Sequence, residues 1–465
     1  SFRRARVPAP KFAGSRPTNL RPHAAAIAAV AVQCVVEPQS TGIGGDCFCL
    51  YSPMGKGVIA FNGSGTAPAA ATVEWYLENG IETIDQQSPH AVTIPGAIDA
   101  WSKLLTDHGT MSLGDLLQPA IGYARDGAPV NHRQWHDWKL SEGLLSNDPT
   151  SAAQFLVDGK APELGTRVKL PLLAKTLEHI ADQGREGFYS GWVAQDIVSH
   201  LKNLGGLHTL KDFENYAGKY VTPISTNYRG YDVYECPPNG QGIVALAALN
   251  ILSGFSMRDY EAVSVDRLHL EIEAIRLAYR DRNTVLGDPD FGDIPVDEWL
   301  SEEHAAKERA HISPDQRMLD IPPSRLPAHK DTVYLTVVDK DRNAVSLINT
   351  LFYMFGSGLT APKSGVLLQN RGMGFVINPN HLNCIAPNKR PLHTIIPGML
   401  IKDGRAQMPF GVMGGSYQAC GHVHLLTNII DYDMDLQEAL DCTRVFPDVD
   451  DPKGRVQVEP GLPVE

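Results

Sequence analysis

Two β-rich runs, 333–338 and 344–349, are separated by Asp339, Lys340, Asp341, Arg342 and Asn343, and this spacing constrains the fold more than any other stretch. Five turn-forming residues between two strand-forming runs specify an antiparallel hairpin, because so short a loop leaves the second run no other partner. Immediately upstream, residues 309–331 contain Pro314, Pro322, Pro323 and Pro327 and little apolar periodicity, which predicts a long exposed linker. Thr332 joins linker to hairpin, and two readings are open for it. It begins a strand, as Thr readily does, or it is an N-terminal nucleophile released when the linker is cut between Asp331 and Thr332. A threonine hydroxyl attacks poorly until a base takes its proton, and a newly exposed α-amino group, of pKa about 8, can serve as that base.

The first two-thirds of the chain reads as mainly helical. An Ala/Val-rich helix from Ala24 ends near Pro38, and a glycine turn at Gly42, Gly44 and Gly45 leads into a strand over 45–51. Further strands are predicted at 57–62 and 231–235. Residues 115–130 suggest a helix capped by Gly127, and 171–204 suggest two helices parted by Gly184 and Gly187, with Ser190 as N-cap of the second. Leu268, Ile272, Ile275 and Tyr279 recur at helical spacing, so 265–282 is predicted to be amphipathic. In the last third, a second strand pair is expected at 365–369 and 395–401, with helix after Gly421.

Composition removes several classes of function. Lys plus Arg number 41 against 53 Asp plus Glu, a net charge of −12, which opposes a surface that neutralises nucleic-acid phosphates. The apolar run 24–36 is too short for a membrane span, which needs about 20 residues. Seven dispersed cysteines, an odd number, do not make a disulfide scaffold; a reducing, cytoplasmic setting is expected. Neither the Cys47/Cys49 pair nor the His422/His424 pair has further ligands at metal-binding spacing, and no nucleotide-binding glycine motif occurs. Residues 1–23, with five Arg, one Lys, four Pro and no acid, form an atypical N-terminus whose prolines oppose an amphipathic targeting helix. At roughly 150 residues per domain the length suggests about three domains.

From Thr332 the chain reads TVYLTVVDKDRNAVSLINTLFYMFGSGLTAPKSGVLLQN, which resembles the start of the small subunit of γ-glutamyltranspeptidases, N-terminal-nucleophile hydrolases that cut themselves before such a Thr. STGIGGDCF at 40–48, AVTIPGAIDAW at 91–101, LLQPAIGYARDG at 116–127, GGLHTLKDFENY at 205–216, TPISTNYRGYDVYECPP at 222–238, AYRDRNTVLGDPDF at 278–291, KRPLHTIIPGM at 389–399 and GVMGGS at 411–416 resemble further family blocks in order. The resemblance implies an α+β fold, a four-layer αββα sandwich made jointly by a large-subunit-like part (24–331) and a small-subunit-like part (332–465). That second part is expected to lack about one strand-and-helix segment of its relatives. Thr332 would then be the nucleophile, Thr350 the hydroxyl that orients it, and Gly414 and Gly415 the oxyanion-hole pair, for which a simple turn is the alternative. No metal or organic cofactor is implied. The implied partners are a small amide substrate and the two cleaved fragments as a heterodimer, with a dimer of these as the larger alternative.

The departures bear on substrate. In transpeptidases an arginine in a Tyr-Arg-Glu-x-Ala-Pro block holds the substrate carboxylate; here the block is Asn62-Gly63-Ser64-Gly65-Thr66-Ala67-Pro68, and Ser64 takes the arginine's place. Where transpeptidases hold the γ-glutamyl ammonium with Asn, Gln and Asp, this chain has Phe352, Arg371 and Gly374, and the two serines after Lys-Arg-Pro are replaced by His393 and Thr394. This set resembles the branch that includes oxamate amidohydrolase. The expected activity is hydrolysis of a small carboxylate-bearing amide, with Arg371 on the acid end, unless Arg371 serves an internal ion pair or faces solvent. The alternatives are γ-glutamyl transfer or hydrolysis on glutathione-like substrates, and an unprocessed, inactive precursor or binding protein of the same fold.

Overall fold

The computed structural model describes residues 21–319, 333–447 and 455–462. Asp331 and Thr332, and most of the residues 1–23, lie outside them. Nine strands build two antiparallel sheets: β1 (Asp46–Ser52), β2 (Ile59–Gly63), β3 (Lys219–Val221), β4 (Ile224–Tyr228), β5 (Tyr231–Glu235), β6 (Val333–Val338), β7 (Ala344–Thr350), β8 (Gly398–Lys402) and β9 (Arg405–Phe410). The first sheet has the order β3-β2-β1-β7-β6 and the second β9-β8-β5-β4. A small ribbon, β10 (Val445–Pro447) with β11 (Val456–Val458), lies outside both.

Every residue of β1 and of β7 is buried, so neither strand shows the alternation of a half-exposed strand. Phe48, Leu50 and Ile348 meet Cys236, Ile395 and Met399 between the sheets. The intervening Cys47, Cys49, Val345 and Leu347 face the opposite way, into a helical layer. That layer includes α1 (Pro22–Val36), which starts on a proline whose missing N–H costs nothing in a first turn, α2 (Ala97–His108), α3 (Leu113–Asp126) and α4 (Pro171–Gln183). On the far side of the second sheet lie α5 (Gly242–Leu252), α6 (Val265–Val285), α7 (Tyr417–Ile430) and α8 (Leu436–Asp441). Helix, sheet, sheet and helix therefore stack as four layers around three apolar interfaces.

The hairpin forms where expected, with Val333 opposite Asn349 and Val338 opposite Ala344. The other expected pair does not. Residues 365–369 make only isolated bridges, to Gly44 and Thr360, and 398–402 pairs with β5 and β9 instead. Gly365 has φ +67°, a left-handed conformation that a strand does not hold. Gly421 lies inside α7 and does not precede it. Ser190 occupies the position before a helix without capping it, its hydroxyl donating back to Glu186. The periodicity of α6 is real, but its polar face is buried as well: Arg267, Glu271, Glu273 and Arg282 are inside the protein.

A Cβ on Gly45 would lie 2.1 Å from the Thr350 carbonyl oxygen, a backbone atom held in the β1–β7 pairing. Gly45→Ala is therefore expected to cost about 3 kcal/mol or prevent folding. In α3, a Cβ on Gly122 meets nothing, so Gly122→Ala should add about 0.5–1 kcal/mol. Urea unfolding of both variants checks the pair; a wild-type midpoint for Gly45→Ala would show that β1 and β7 can separate at this end.

Candidate active site

The inner end of the hairpin is the starting point. β1 and β7 place Asp46 directly opposite Thr350, on the face that carries Phe48 and Ile348 into the space between the sheets. A carboxylate there needs full hydrogen bonding. Asp46 Oδ1 accepts from the Gly65 N–H at 2.9 Å and from Gln369 Nε2 at 2.8 Å, and Oδ2 accepts from His393 Nε2 at 3.0 Å. The Ile395 N–H donates to His393 Nδ1 at 3.4 Å, which fixes the ring as the Nε2–H tautomer. Burial, and then the charge of Arg371, pull His393 down to about 4 despite Asp46, so it is neutral at pH 7. Thr350 Oγ1 accepts from the Phe352 N–H at 3.0 Å.

Arg371 is 1% exposed. Its Nη1 donates to Thr394 Oγ1 at 3.0 Å, and its guanidinium carbon lies 3.7 Å from the centre of the Phe352 ring. Phe352 holds that ring in place from a left-handed backbone, φ +85°, an outlier for a bulky residue and a common mark of functional sites. Burial lowers Arg371 to about 9, opposed by Asp46, so the group stays charged at neutral pH. Its Nε and Nη2 have no partner among the described residues.

Gly414 and Gly415 stand just before α7, with φ of +130° and +57°, values that other residues hold only under strain. The loop is tied from behind. Gln241 Nε2 donates to both Gly415 O and Thr394 O at 2.9 Å, and Arg282 on α6 donates to Gln241 Oε1 at 2.8 Å. The Tyr279 hydroxyl donates to Ser416 O. Backbone N–H groups at a helix N-terminus favour negative charge, as an oxyanion site requires. A cavity of about 400 Å³, lined by Leu140, Leu144, Tyr353, Met354, Tyr417 and Phe446, opens beside Gly414.

The structure thus links Thr350, Phe352, Arg371, His393, Thr394 and the Gly414–Gly415 loop through one buried network. Ser64 belongs to its periphery: its hydroxyl accepts from Asn239 Nδ2 at 3.1 Å, and Tyr216 donates to its carbonyl at 2.9 Å. Gly374 accepts from Asn383 and offers no side chain. His393 has both ring nitrogens engaged and supports the site from within. Asp331 and Thr332 lie outside the described residues. Sequence reasoning passed over Asp46, Gln241 and Arg282; an acid opening an otherwise apolar strand, DCFCLYS, was the available signal for the first.

Two face-to-face antiparallel sheets between helical layers form the αββα sandwich of the N-terminal-nucleophile hydrolase fold. Residues 22–465 match the family described as Gamma-glutamyltranspeptidase. The glutathione hydrolase-like YwrD proenzyme of Bacillus subtilis is 40% identical over 420 residues, 90% of this chain and 78% of its own length. The oxamate amidohydrolase proenzyme of Klebsiella pneumoniae is 34% identical over 424 residues, 90% of this chain and 79% of its own. Cephalosporin acylase from Bacillus halodurans superposes with a TM-score of 0.88 at 39% identity, over 95% of this chain and 81% of that one. The chain belongs to the γ-glutamyltranspeptidase family and is an amide-hydrolysing enzyme of the proenzyme type.

A histidine whose folded pKa lies below its unfolded value takes up its proton more readily in the unfolded chain, so its stabilisation is present above pH 6.5 and is lost as the pH falls toward 4. For His393, moving from 6.5 to about 4 corresponds to about 3 kcal/mol. His393→Gln should therefore lose about that much less stability than the wild type between about pH 7 and pH 4. Chemical denaturation at both pH values measures the difference; equal losses would mean that His393 is not held neutral.

Proposed function

We propose that the protein hydrolyses a small amide bearing a carboxylate, such as oxamate, using Thr332 as nucleophile after cleavage between Asp331 and Thr332. The observation that carries this reading is Arg371. A buried guanidinium with two unpaired donors is costly unless a ligand completes it, and a planar fork of donors matches a carboxylate. Phe352 and Thr394 hold that fork still, so little ordering entropy remains to be lost on binding.

In the proposed reaction Thr332 Oγ attacks the amide carbon while its own α-amino group takes the hydroxyl proton. The N–H groups of Gly414 and Gly415 receive the developing oxyanion. Collapse breaks the C–N bond, the α-ammonium proton goes to the departing nitrogen, and ammonia or an amine leaves. Water, deprotonated by the same amine, then releases the acid and restores the threonine. The first sheet takes β1, β2 and β3 from residues 24–331 and β6 and β7 from 332–465, which supports one interleaved fold and a heterodimer that stays assembled after cleavage.

A second reading concerns the leaving group. The cavity beside Gly414, walled by Leu140, Leu144, Met354 and Phe446 and also by Gln86 and Gln457, has room for an amine much larger than ammonia, which favours a longer amide with the same acid end. Rates on oxamate and on a glutaryl anilide distinguish the two.

Arg371→Leu should raise KM for an anionic amide about 100-fold, the loss of a charged hydrogen-bonded pair, and leave a neutral amide little changed. An unchanged KM removes this role. Thr332→Ala should abolish both activity and the two-fragment pattern on a denaturing gel; continued self-cleavage would sink the nucleophile assignment.

A further inference from the structure

One buried amide joins the two halves of the site. Gln241 stands at the head of α5, fully enclosed, and its backbone is fixed to the residues beside Arg371. Its N–H donates to the His393 carbonyl at 2.9 Å, and the His393 N–H donates to Asn239 O at 2.8 Å. The side chain then divides its two donors. Nε2 bonds Thr394 O, on the residue whose hydroxyl receives Arg371, and Gly415 O in the glycine loop, each at 2.9 Å. Gly415 has φ +57° and no side chain of its own to hold its peptide plane, so this bond does so.

The sense of the amide is fixed from behind. Its oxygen accepts from Arg282 Nη1 at 2.8 Å. Reversed, it would set an NH2 group against a guanidinium and an oxygen against two carbonyls. Arg282 is itself held: Nε and Nη2 donate to Asn283 Oδ1 at 3.0 and 2.9 Å, and its guanidinium carbon lies 4.4 Å from the centre of the Tyr279 ring. The Tyr279 hydroxyl in turn donates to Ser416 O, next to the glycine loop. Two hydrogen bonds from one nitrogen therefore span from Thr394 to Gly415, and the nitrogen has no freedom to turn.

We propose that Gln241 is a positioning residue that sets the spacing between Arg371 and the Gly414–Gly415 loop, and so decides how many carbons the enzyme accepts between the carboxylate and the amide of its substrate. This rests on the reading of Arg371 as the acid clamp and of the glycine loop as the oxyanion site. Hydrogen bonds have narrow length ranges, so a gap bridged by two of them yields less than one filled by apolar packing. A substrate one methylene too long or too short then seats its acid on Arg371 with its carbonyl oxygen off the loop, or the reverse. Gln241 touches neither end of the substrate and acts through Thr394 and Gly415.

Ammonia release from oxamate, malonamate, succinamate and glutaramate, which differ by single methylenes, measures the spacing in the full chain. Wild-type kcat/KM should favour one length over its neighbours by about tenfold or more. Gln241→Asn, too short to hold both carbonyls, should bring the neighbours within about threefold of the best. An equal fall across the series with the wild-type preference intact, or a wild type that takes all four acids alike, overturns the proposal and leaves the acid clamp standing. Neutral isosteres, with methyl in place of carboxylate, hydrolysed by the wild type as fast as the acids would remove the acid clamp and this proposal together. If Gln241→Asn does not fold, Arg282→Lys, which loosens the same amide from behind, is read by the same ratio with the same outcomes.

Discussion

The pairing of β1 with β7 is the contact on which the rest depends. It joins segments some three hundred positions apart, and its register sets Asp46 against Thr350. Because side chains alternate along a strand, a slip of one residue would turn Asp46 and Thr350 into the helical layer and bring Cys47 and Asn349 between the sheets. Gly45, with no room for a Cβ, and the bonds from Gly65, Gln369 and His393 to Asp46 all favour the observed register.

Buried ionisable groups recur among the described residues. Asp46 with His393, Glu235 with His422, and Glu271 with Arg267 and His424 are all enclosed, and each is satisfied in part by a histidine. Desolvation makes such groups poor contributors to stability, and removing one partner costs more than the pair is worth. Their value here is positional. Arg282 illustrates it: fully buried on α6, it reaches through Gln241 to the Gly415 carbonyl and so fixes the Gly414–Gly415 loop on a different element.

Local features were legible in the sequence, and contacts between distant segments were not. The 333–349 hairpin and the helix ending at Gly127 depend on residues within a few positions, which periodicity and turn chemistry report. The stretch 365–369 has strand composition, but its backbone bonds go to Gly44, Ser357, Leu359 and Ala361 and it never joins a sheet edge. The polar face of α6 reads as solvated because nothing local says that α7 covers it. In the site, the glycines, Thr350 and Arg371 were visible as motif positions, whereas Asp46 became meaningful only once β1 and residues 393–395 were set side by side.

The way the two parts share each sheet also constrains what the proposed cleavage could do. The first sheet alternates nothing within its halves: β3, β2 and β1 lie on one side and β7 and β6 on the other, so the seam is the β1–β7 ladder itself. The proposed cut ahead of β6 would leave that seam inside, covered on both faces. Separation of the fragments would expose that ladder and two apolar faces together, at a cost far above the marginal stability of a typical fold. The cleavage proposed between Asp331 and Thr332 would therefore leave Arg371, the glycine loop and the carboxylate that organises them held as they are.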